Sequence, residues 1–160
     1  MAENRLPAGS REKPLILFGH DVGVARWAAN ELGIEGFGAC TALGVVLEDN
    51  LIAGVVYHNY RDTNIEMSIA TLSPRWASRN TLFCIFAYPF NQLGVKRVTC
   101  LIDTLNESCI NLVERLGFTH EGTLREAHPN GDAEIYGMLK AECRWLKNGQ
   151  KIQTEDAKGA

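Results

Sequence analysis

One loop in this sequence combines the residue types that bind phosphate groups. The loop Ser73-Pro-Arg-Trp-Ala-Ser-Arg-Asn80 carries Arg75 and Arg79 directly before a helical pattern. The first turn of a helix offers free N–H groups and the positive end of the helix dipole, and arginine adds a forked cationic donor. The loop therefore favours a phosphate or pyrophosphate ligand. The alternative interpretation is a surface loop with two solvated arginines.

A second set of chemical groups lies on a predicted strand, Asn64 to Thr71. Apolar and polar residues alternate along it, which predicts one apolar face and one face that carries the carboxylate of Glu66 and a hydroxyl. Glu66 could accept a proton from an attacking group, directly or through a water. It could equally be an exposed residue paired with a lysine or arginine. His58 and Tyr60, on the preceding strand, are weaker base candidates, since a lone strand histidine is more often a structural donor.

The segment that follows Asn106 reads as a short amphipathic helix. Apolar residues recur at i, i+3, i+4 and i+7, and Gly117 is suited to end the helix in a left-handed conformation. This apolar face consists of Cys109, Leu112, Val113 and Leu116. Two starts are open, because Asn106 is a good N-cap and Thr104 with Glu107 fits a capping box.

Periodicity and turn residues predict the elements that must position these groups. The order is strand, helix, three antiparallel strands, helix, strand, helix and two strands, an α+β layout on one mixed sheet. Asp21 is the expected N-cap of the first helix, and Pro89 should bend the second. The predicted strands cover about 15–18, 41–47, 51–60, 64–71, 95–102, 120–127 and 134–139, and the first two helices cover about 22–32 and 78–93. We expect a single domain over 14–146 between flexible tails at 1–13 and 147–160.

Composition narrows the function class. A chain of 160 residues can bury a core without staples. The net charge of −3 and the scattered basic residues argue against nucleic acid as a partner. No apolar run approaches 18 residues and no leader is visible, so we expect no membrane association. An odd number of cysteines without a Cys-x-x-Cys pattern argues against disulfides or zinc and for a cytoplasmic location. These are Cys40, Cys84, Cys100, Cys109 and Cys143.

An ordered set of motifs resembles the GNAT superfamily of N-acetyltransferases, and within it the RimJ/RimL-type branch that acetylates ribosomal-protein amino termini. The resemblance implies a mixed, mostly antiparallel central sheet flanked by helices, with acetyl-coenzyme A (acetyl-CoA) as co-substrate. It runs from about Leu43 to Trp145 and rests on Ile65-Glu66-Met67, Tyr88-Pro-Phe90, Val95-Lys-Arg-Val98, Asn106, Leu116-Gly-Phe118, Glu121-Gly122, Arg125 and Tyr136-Gly-Met-Leu139.

The resemblance also implies where coenzyme A would bind. Its pantetheine arm would pair with backbone groups near Ile69, Ala70 and Thr71, one of which would be an oxyanion donor, and with the amide of Asn106. The phosphate loop would consist of Arg75, Ala77, Ser78, Arg79, Asn80 and Thr81. Ser78 and Asn80 stand where the family pattern has glycines, and the register could slip by two residues.

The group that protonates the departing thiolate is less clearly marked. Many superfamily members have a tyrosine at the position that is Val113 here. The ribosomal-protein branch has a serine where this chain has Cys109, preceded by Ser108. Ser108, Cys109 or a water would therefore serve as the acid. Cys109 also fits a small buried apolar residue.

The expected reaction is direct attack of a primary amine on the thioester in a ternary complex. An α-amine has a pKa of about 7.7 to 8.0 and a lysine amine about 10.4, so one carboxylate or imidazole suffices for an α-amine. The acceptor would be a protein amino terminus or a small-molecule amine, and the protein a monomer or homodimer. Two rival interpretations are a non-catalytic module that binds acyl-CoA or a partner, and an enzyme that modifies a nucleobase or aminoacyl nucleic acid.

Overall fold

The computed structural model describes residues 12–147, which form seven strands and three α-helices. The strands are Leu15–Leu17 (β1), Cys40–Leu47 (β2), Asn50–Arg61 (β3), Asn64–Thr71 (β4), Arg97–Asp103 (β5), Thr119–His128 (β6) and Gly131–Leu139 (β7). The helices are Asp21–Leu32 (α1), Arg79–Ala87 (α2) and Glu107–Leu116 (α3). Short 3-10 turns cover Pro74–Trp76 and Lys140–Glu142, and a π-helix covers Tyr88–Leu93.

All seven strands belong to one sheet, in the order β1-β2-β3-β4-β5-β7-β6. Each neighbouring pair is antiparallel except β4 and β5, which run parallel because α2 and the π-helix carry the chain back between them. This arrangement confirms the predicted α+β class with a mixed, mostly antiparallel sheet.

Helices cover both faces of the sheet. One face packs on α1 through a small cluster that includes Val24, Ala28 and Val56. The other face packs on α2 and α3 in the main core, whose members include Phe86 and Val113. α1 approaches β3 closely, since a Cβ added at Gly54 would lie 3.2 Å from Val24 and 3.3 Å from Trp27.

β4 and β5 form a fork. They pair only over Asn64–Glu66 and Arg97–Thr99. Beyond that point β4 stays on β3 as far as Thr71, and β5 stays on β7 as far as Asp103. The two strands therefore diverge in the middle of the sheet, and the gap between them exposes one backbone edge of β4.

Three details of the helices differ from the sequence prediction. The N-cap of α1 is His20, and the Asp21 carboxylate accepts a hydrogen bond from Ala42 N–H of β2 instead. Val22 is exposed, because α1 is rotated to bury Val24 and its alanines. The predicted bend at Pro89 is a change from α-helix to π-helix, in which the missing N–H of proline is tolerated.

The predicted tails fall almost entirely outside the described residues, and the domain boundaries at 14 and 146 stay predictions. None of the helices within residues 12–147 has the length and hydropathy needed to cross a membrane. The five cysteines are all free thiols.

Candidate active site

Two clefts open from the fork between β4 and β5. We call the first the histidine cleft, because His58 and His128 line it, and its volume is about 380 Å³. We call the second the arginine cleft, because Arg79 and Arg115 line it, and its volume is about 790 Å³. The walls that the two clefts share are formed by Leu32, Ile69, Asn106 and Cys109.

The two clefts differ in charge. Among the described residues that line the histidine cleft there is one carboxylate, Asp103, and no lysine or arginine. The arginine cleft has two guanidinium groups and the carboxylate of Glu31. One side of the fork therefore favours a cationic ligand and the other an anionic ligand.

The negative end of the histidine cleft is fixed by hydrogen bonds. The Asp103 carboxylate accepts a bond of 3.0 Å from Leu105 N–H and one of 3.3 Å from the Asn130 side chain, and it lies 3.4 Å from Nδ1 of His128. These contacts, the backbone N–H first, hold the pKa of Asp103 below its usual value. Asp103 therefore stays ionised at neutral pH.

The start of α2 is directed at the arginine cleft. Ser78 is the N-cap, and its Oγ accepts a bond of 3.1 Å from Thr81 N–H. The first N–H groups of a helix have no partner within it. Within the part of the chain that the structure describes, those of Arg79 and Asn80 therefore remain available to an anion.

The residues of the predicted phosphate loop have different positions. Ala77 and Arg79 line the arginine cleft. Ser78 and buried Thr81 form the cap, and Asn80 is exposed on α2. The Arg75 guanidinium lies outside the described walls and donates to the carbonyl oxygen of Glu12 at 3.2 Å. Ser78 has a φ of −66°, so the residue that replaces the family glycine is unstrained.

The edge of β4 that faces the fork offers backbone donors to both clefts. Leu72 N–H bonds to Ile52 of β3. Because successive residues of a strand turn their N–H groups to opposite edges, those of Ile69 and Thr71 face the fork, and that of Ala70 faces β3. Ile69 lines both clefts, whereas Ala70 and Thr71 line the arginine cleft.

Asn106 is the N-cap of α3 and a shared wall of the two clefts. Its Oδ1 accepts bonds of 3.2 Å from Cys109 N–H and from the Ser108 hydroxyl. Thr104 bonds to Asp132 and Glu134 instead, so the alternative capping box does not form. Since the oxygen is used by the cap, the amide NH₂ is the group available to a ligand.

The two predicted acids differ in position. Cys109 is half-buried between both clefts, and burial raises the pKa of its thiol to about 11. The thiol is therefore protonated at neutral pH. Ser108 is exposed and lines only the arginine cleft. Val113, at the family tyrosine position, lines the histidine cleft.

His58, Glu66 and Ser68 form a hydrogen-bonded series at the histidine cleft. Nδ1 of His58 lies 3.3 Å from Oε2 of Glu66, and Nε2 lies 3.2 Å from Oγ of Ser68. The Asn59 side chain donates to the same Glu66 oxygen at 2.6 Å, and the Phe37 ring lies 5.2 Å from the imidazole. His58 and Ser68 line the cleft, whereas Glu66 lies behind His58.

The imidazole of His58 is held in its neutral form. Burial lowers its pKa, and the Glu66 charge acts in the opposite direction without reversing the shift. A neutral imidazole next to a cleft can accept a proton. Tyr60, the other weak base candidate, is exposed and outside both clefts.

Sequence reasoning missed Arg115 as a wall of the arginine cleft. A signal was present, since Ser108, Leu112 and Arg115 recur at helical spacing and all line this cleft. The sequence analysis also left out Arg144 and Trp145. The Arg144 guanidinium donates to the carbonyl oxygen of Arg115, and Trp145 Nε1 donates to that of Leu116 at 2.9 Å. Both side chains therefore hold the end of α3.

Comparison with solved structures identifies the fold. Spermidine N-acetyltransferase SpeG from Vibrio cholerae matches 86% of this chain and 98% of its own, with 17% identity and a TM-score of 0.62. A GCN5-related N-acetyltransferase from Brucella melitensis matches 71% of this chain and 57% of its own, with 22% identity and a TM-score of 0.60. The fold is that of the GCN5-related N-acetyltransferases. No family model matches the sequence, and no curated protein matches it.

Proposed function

We propose that this protein is an N-acetyltransferase of the GNAT superfamily that transfers the acetyl group of acetyl-CoA to a primary amine. The observation that carries the proposal is the pair of oppositely charged clefts that meet at Ile69, Asn106 and Cys109. A polyanionic donor would enter from the arginine side, a cationic amine would enter from the histidine side, and the thioester would lie between them. This arrangement suits direct attack in a ternary complex.

Coenzyme A would occupy the arginine cleft. Its pyrophosphate would meet the start of α2 and the guanidinium groups of Arg79 and Arg115. The pantetheine arm would pair with the open edge of β4 and with the Asn106 amide. Ile69 N–H would donate to the thioester oxygen, on which negative charge develops during attack. Arg75 would reach only the outer phosphates, and acetyl-CoA as donor rests on the fold and on this fit.

The acceptor amine would occupy the histidine cleft, with His58 as the proton acceptor and Asp103 at the far end. Because the pKa of His58 is lowered, the imidazole is a weak base at neutral pH. A weak base suits an amine that is already partly neutral, and an α-amine with a pKa of about 7.7 to 8.0 is better matched than a lysine or polyamine nitrogen. We therefore favour a protein or peptide amino terminus, as in the RimJ/RimL-type branch, over a small-molecule amine such as spermidine.

The departing thiolate would be protonated by Cys109, Ser108 or water. Cys109 is protonated and lies where the two clefts meet, but a thiol with a pKa of about 11 is a weak acid. Water reaching the fork would serve equally well, because a coenzyme thiolate is a moderate leaving group.

The first test is calorimetric titration of the protein with acetyl-CoA, beside Arg79→Ala and the matched control Arg26→Ala. Arg26 is an exposed arginine of α1 outside both clefts. Loss of a charge-assisted bond of about 1.4 kcal/mol would weaken binding about tenfold in Arg79→Ala, with no change in Arg26→Ala. No saturable binding to the wild-type protein would refute the proposal.

The second test measures release of free coenzyme A with three acceptors. These are a short peptide with a free amino terminus, the same peptide with a blocked amino terminus and one internal lysine, and spermidine. We expect the free amino terminus to react fastest near pH 7.5. A preference for the lysine peptide or spermidine would keep the acetyltransferase and reject the α-amine.

Two rival functions have specific support. The replaced loop glycines and the missing tyrosine at Val113 favour a non-catalytic module, and acetyl-CoA binding without turnover on any amine would establish it. A nucleic acid acceptor is disfavoured by the carboxylate of the histidine cleft, and binding that does not weaken steeply with salt would reject it. Cytoplasmic location and a monomeric or homodimeric state stay predictions.

A further inference from the structure

Both ring nitrogens of His58 are already engaged. Nδ1 faces the Glu66 carboxylate at 3.3 Å, and Nε2 faces the Ser68 hydroxyl at 3.2 Å. An ionised carboxylate only accepts hydrogen bonds, so the proton of the neutral ring belongs on Nδ1. Nε2 is then the acceptor, and the Ser68 hydroxyl is its donor. A ligand in the histidine cleft therefore reaches the basic nitrogen only through Ser68 or by displacing it.

We propose that the Ser68 hydroxyl relays the proton of the attacking amine to His58. The inference rests on the proposed acetyl transfer and adds a residue that touches the acceptor. Ser68 lines the histidine cleft, and its neighbour Ile69 lines both clefts. The hydroxyl thus lies one residue along β4 from the backbone group that would bind the thioester oxygen.

The step balances without any further reactant. The amine nitrogen attacks the thioester carbon, the new N–C bond forms, and the carbonyl electrons move to oxygen. The nitrogen gives a proton to Ser68 Oγ, and Oγ gives its own proton to Nε2 of His58. The C–S bond then breaks, its electron pair leaves on sulfur, and the thiolate takes a proton from Cys109 or water. The imidazolium returns its proton to solvent.

Glu66 acts through His58 in this scheme. Its Oε2 holds Nδ1 of His58 and the Asn59 amide, and the side chain does not line the histidine cleft. It fixes the ring tautomer and stabilises the imidazolium, as the carboxylate does behind a catalytic histidine. Glu66 is therefore a positioning residue, and Ser68 is the group that meets the substrate.

The experiment measures single-turnover acetyl transfer to an amino-terminal peptide in Ser68→Ala, Ser68→Thr and Thr123→Ala. Removing the relay should lower the rate about 100-fold in Ser68→Ala and leave the Kd for acetyl-CoA unchanged. Ser68→Thr keeps a hydroxyl and should stay within a few-fold of wild type. Thr123→Ala removes a hydroxyl bonded to Glu134 on a strand outside both clefts, and should not change the rate.

Rates in mixtures of H₂O and D₂O separate a relay from a packing role. Two protons in flight predict a curved dependence on deuterium fraction in wild type and a linear one in Ser68→Ala. Nitrogen chemical shifts of His58 should show the Nδ1–H tautomer in wild type. That measurement needs no turnover.

Each other result overturns the relay in a recognisable way. A Ser68→Ala rate equal to wild type rejects the relay and leaves the acetyltransferase intact. A Ser68→Thr rate as low as Ser68→Ala assigns the loss to packing and rejects the relay. A wild-type protein that binds acetyl-CoA and acetylates no amine removes the reaction itself, and the relay with it.

Discussion

Asn106→Asp separates two roles that one side chain combines. The Asn106 oxygen caps α3 by accepting from Cys109 N–H and the Ser108 hydroxyl. Its NH₂ group faces the region where the two clefts meet and would donate to the pantetheine arm. Aspartate retains the capping oxygen and removes the donor. Alanine removes both.

The two losses have different magnitudes and different readouts. Loss of a cap costs about 1 kcal/mol of stability, which corresponds to roughly 3 °C in Tm for a chain of this size. Loss of one neutral hydrogen bond to the coenzyme costs about 1 kcal/mol of binding, or about fivefold in Kd. Asn106→Asp should therefore keep the wild-type Tm and bind acetyl-CoA about fivefold more weakly. Asn106→Ala should show both losses.

Thermal unfolding and calorimetric titration check these values. The new carboxylate would also repel the coenzyme phosphates, so the titration is repeated at high salt, which screens that repulsion and leaves the lost hydrogen bond. Asn111→Asp places the same charge on the exposed side of α3, outside both clefts, and controls for the charge itself. The reasoning fails if Asn106→Asp binds like wild type at high salt, or if it loses as much Tm as Asn106→Ala.

Three further outcomes follow from the structure. In Glu66→Gln the charge that raises the pKa of His58 is gone, so the acidic limb of the profile of kcat/KM against pH should move to lower pH while kcat falls. Because the pKa of Cys109 is about 11, its alkylation by iodoacetamide near pH 7.5 should be at least 100-fold slower than that of a free thiol with pKa about 8.5, as followed by peptide mass spectrometry. Gly54→Ala should lower the urea-unfolding free energy by about 1 to 3 kcal/mol, because its Cβ would meet α1 side chains at 3.2 to 3.4 Å. Gly23→Ala, which meets nothing within 4 Å on exposed α1, should raise it by up to about 1 kcal/mol.

The sequence predicted the elements whose signals are local. The bounds of β4 are those expected from its alternation, and α3 ends at Gly117 in the left-handed conformation. Rotation of a helix on the sheet is not a local property. α1 turns Val24 inward because Gly54 of β3 leaves room for it, and no periodicity within 21–32 reveals that groove. The exposed Val22 and the failed N-cap at Asp21 have this common cause.

The grouping of His58 with Glu66 lay beyond the sequence because one extra residue creates it. β3 and β4 pair at Arg61 and Asn64, and a regular ladder counted back from there would place Asn59 opposite Glu66 and His58 on the apolar face. Instead β3 bulges between His58 and Arg61, and Asn59 has a φ of 51°. A shift of one residue moves a side chain to the other face of a sheet. The bulge therefore turns His58 toward Glu66 and Ser68, and it also directs the Asn59 amide to the same carboxylate. Single residues in this strand and its neighbour could be named from the sequence, but the proton path between them depends on an irregularity that no alternation pattern encodes.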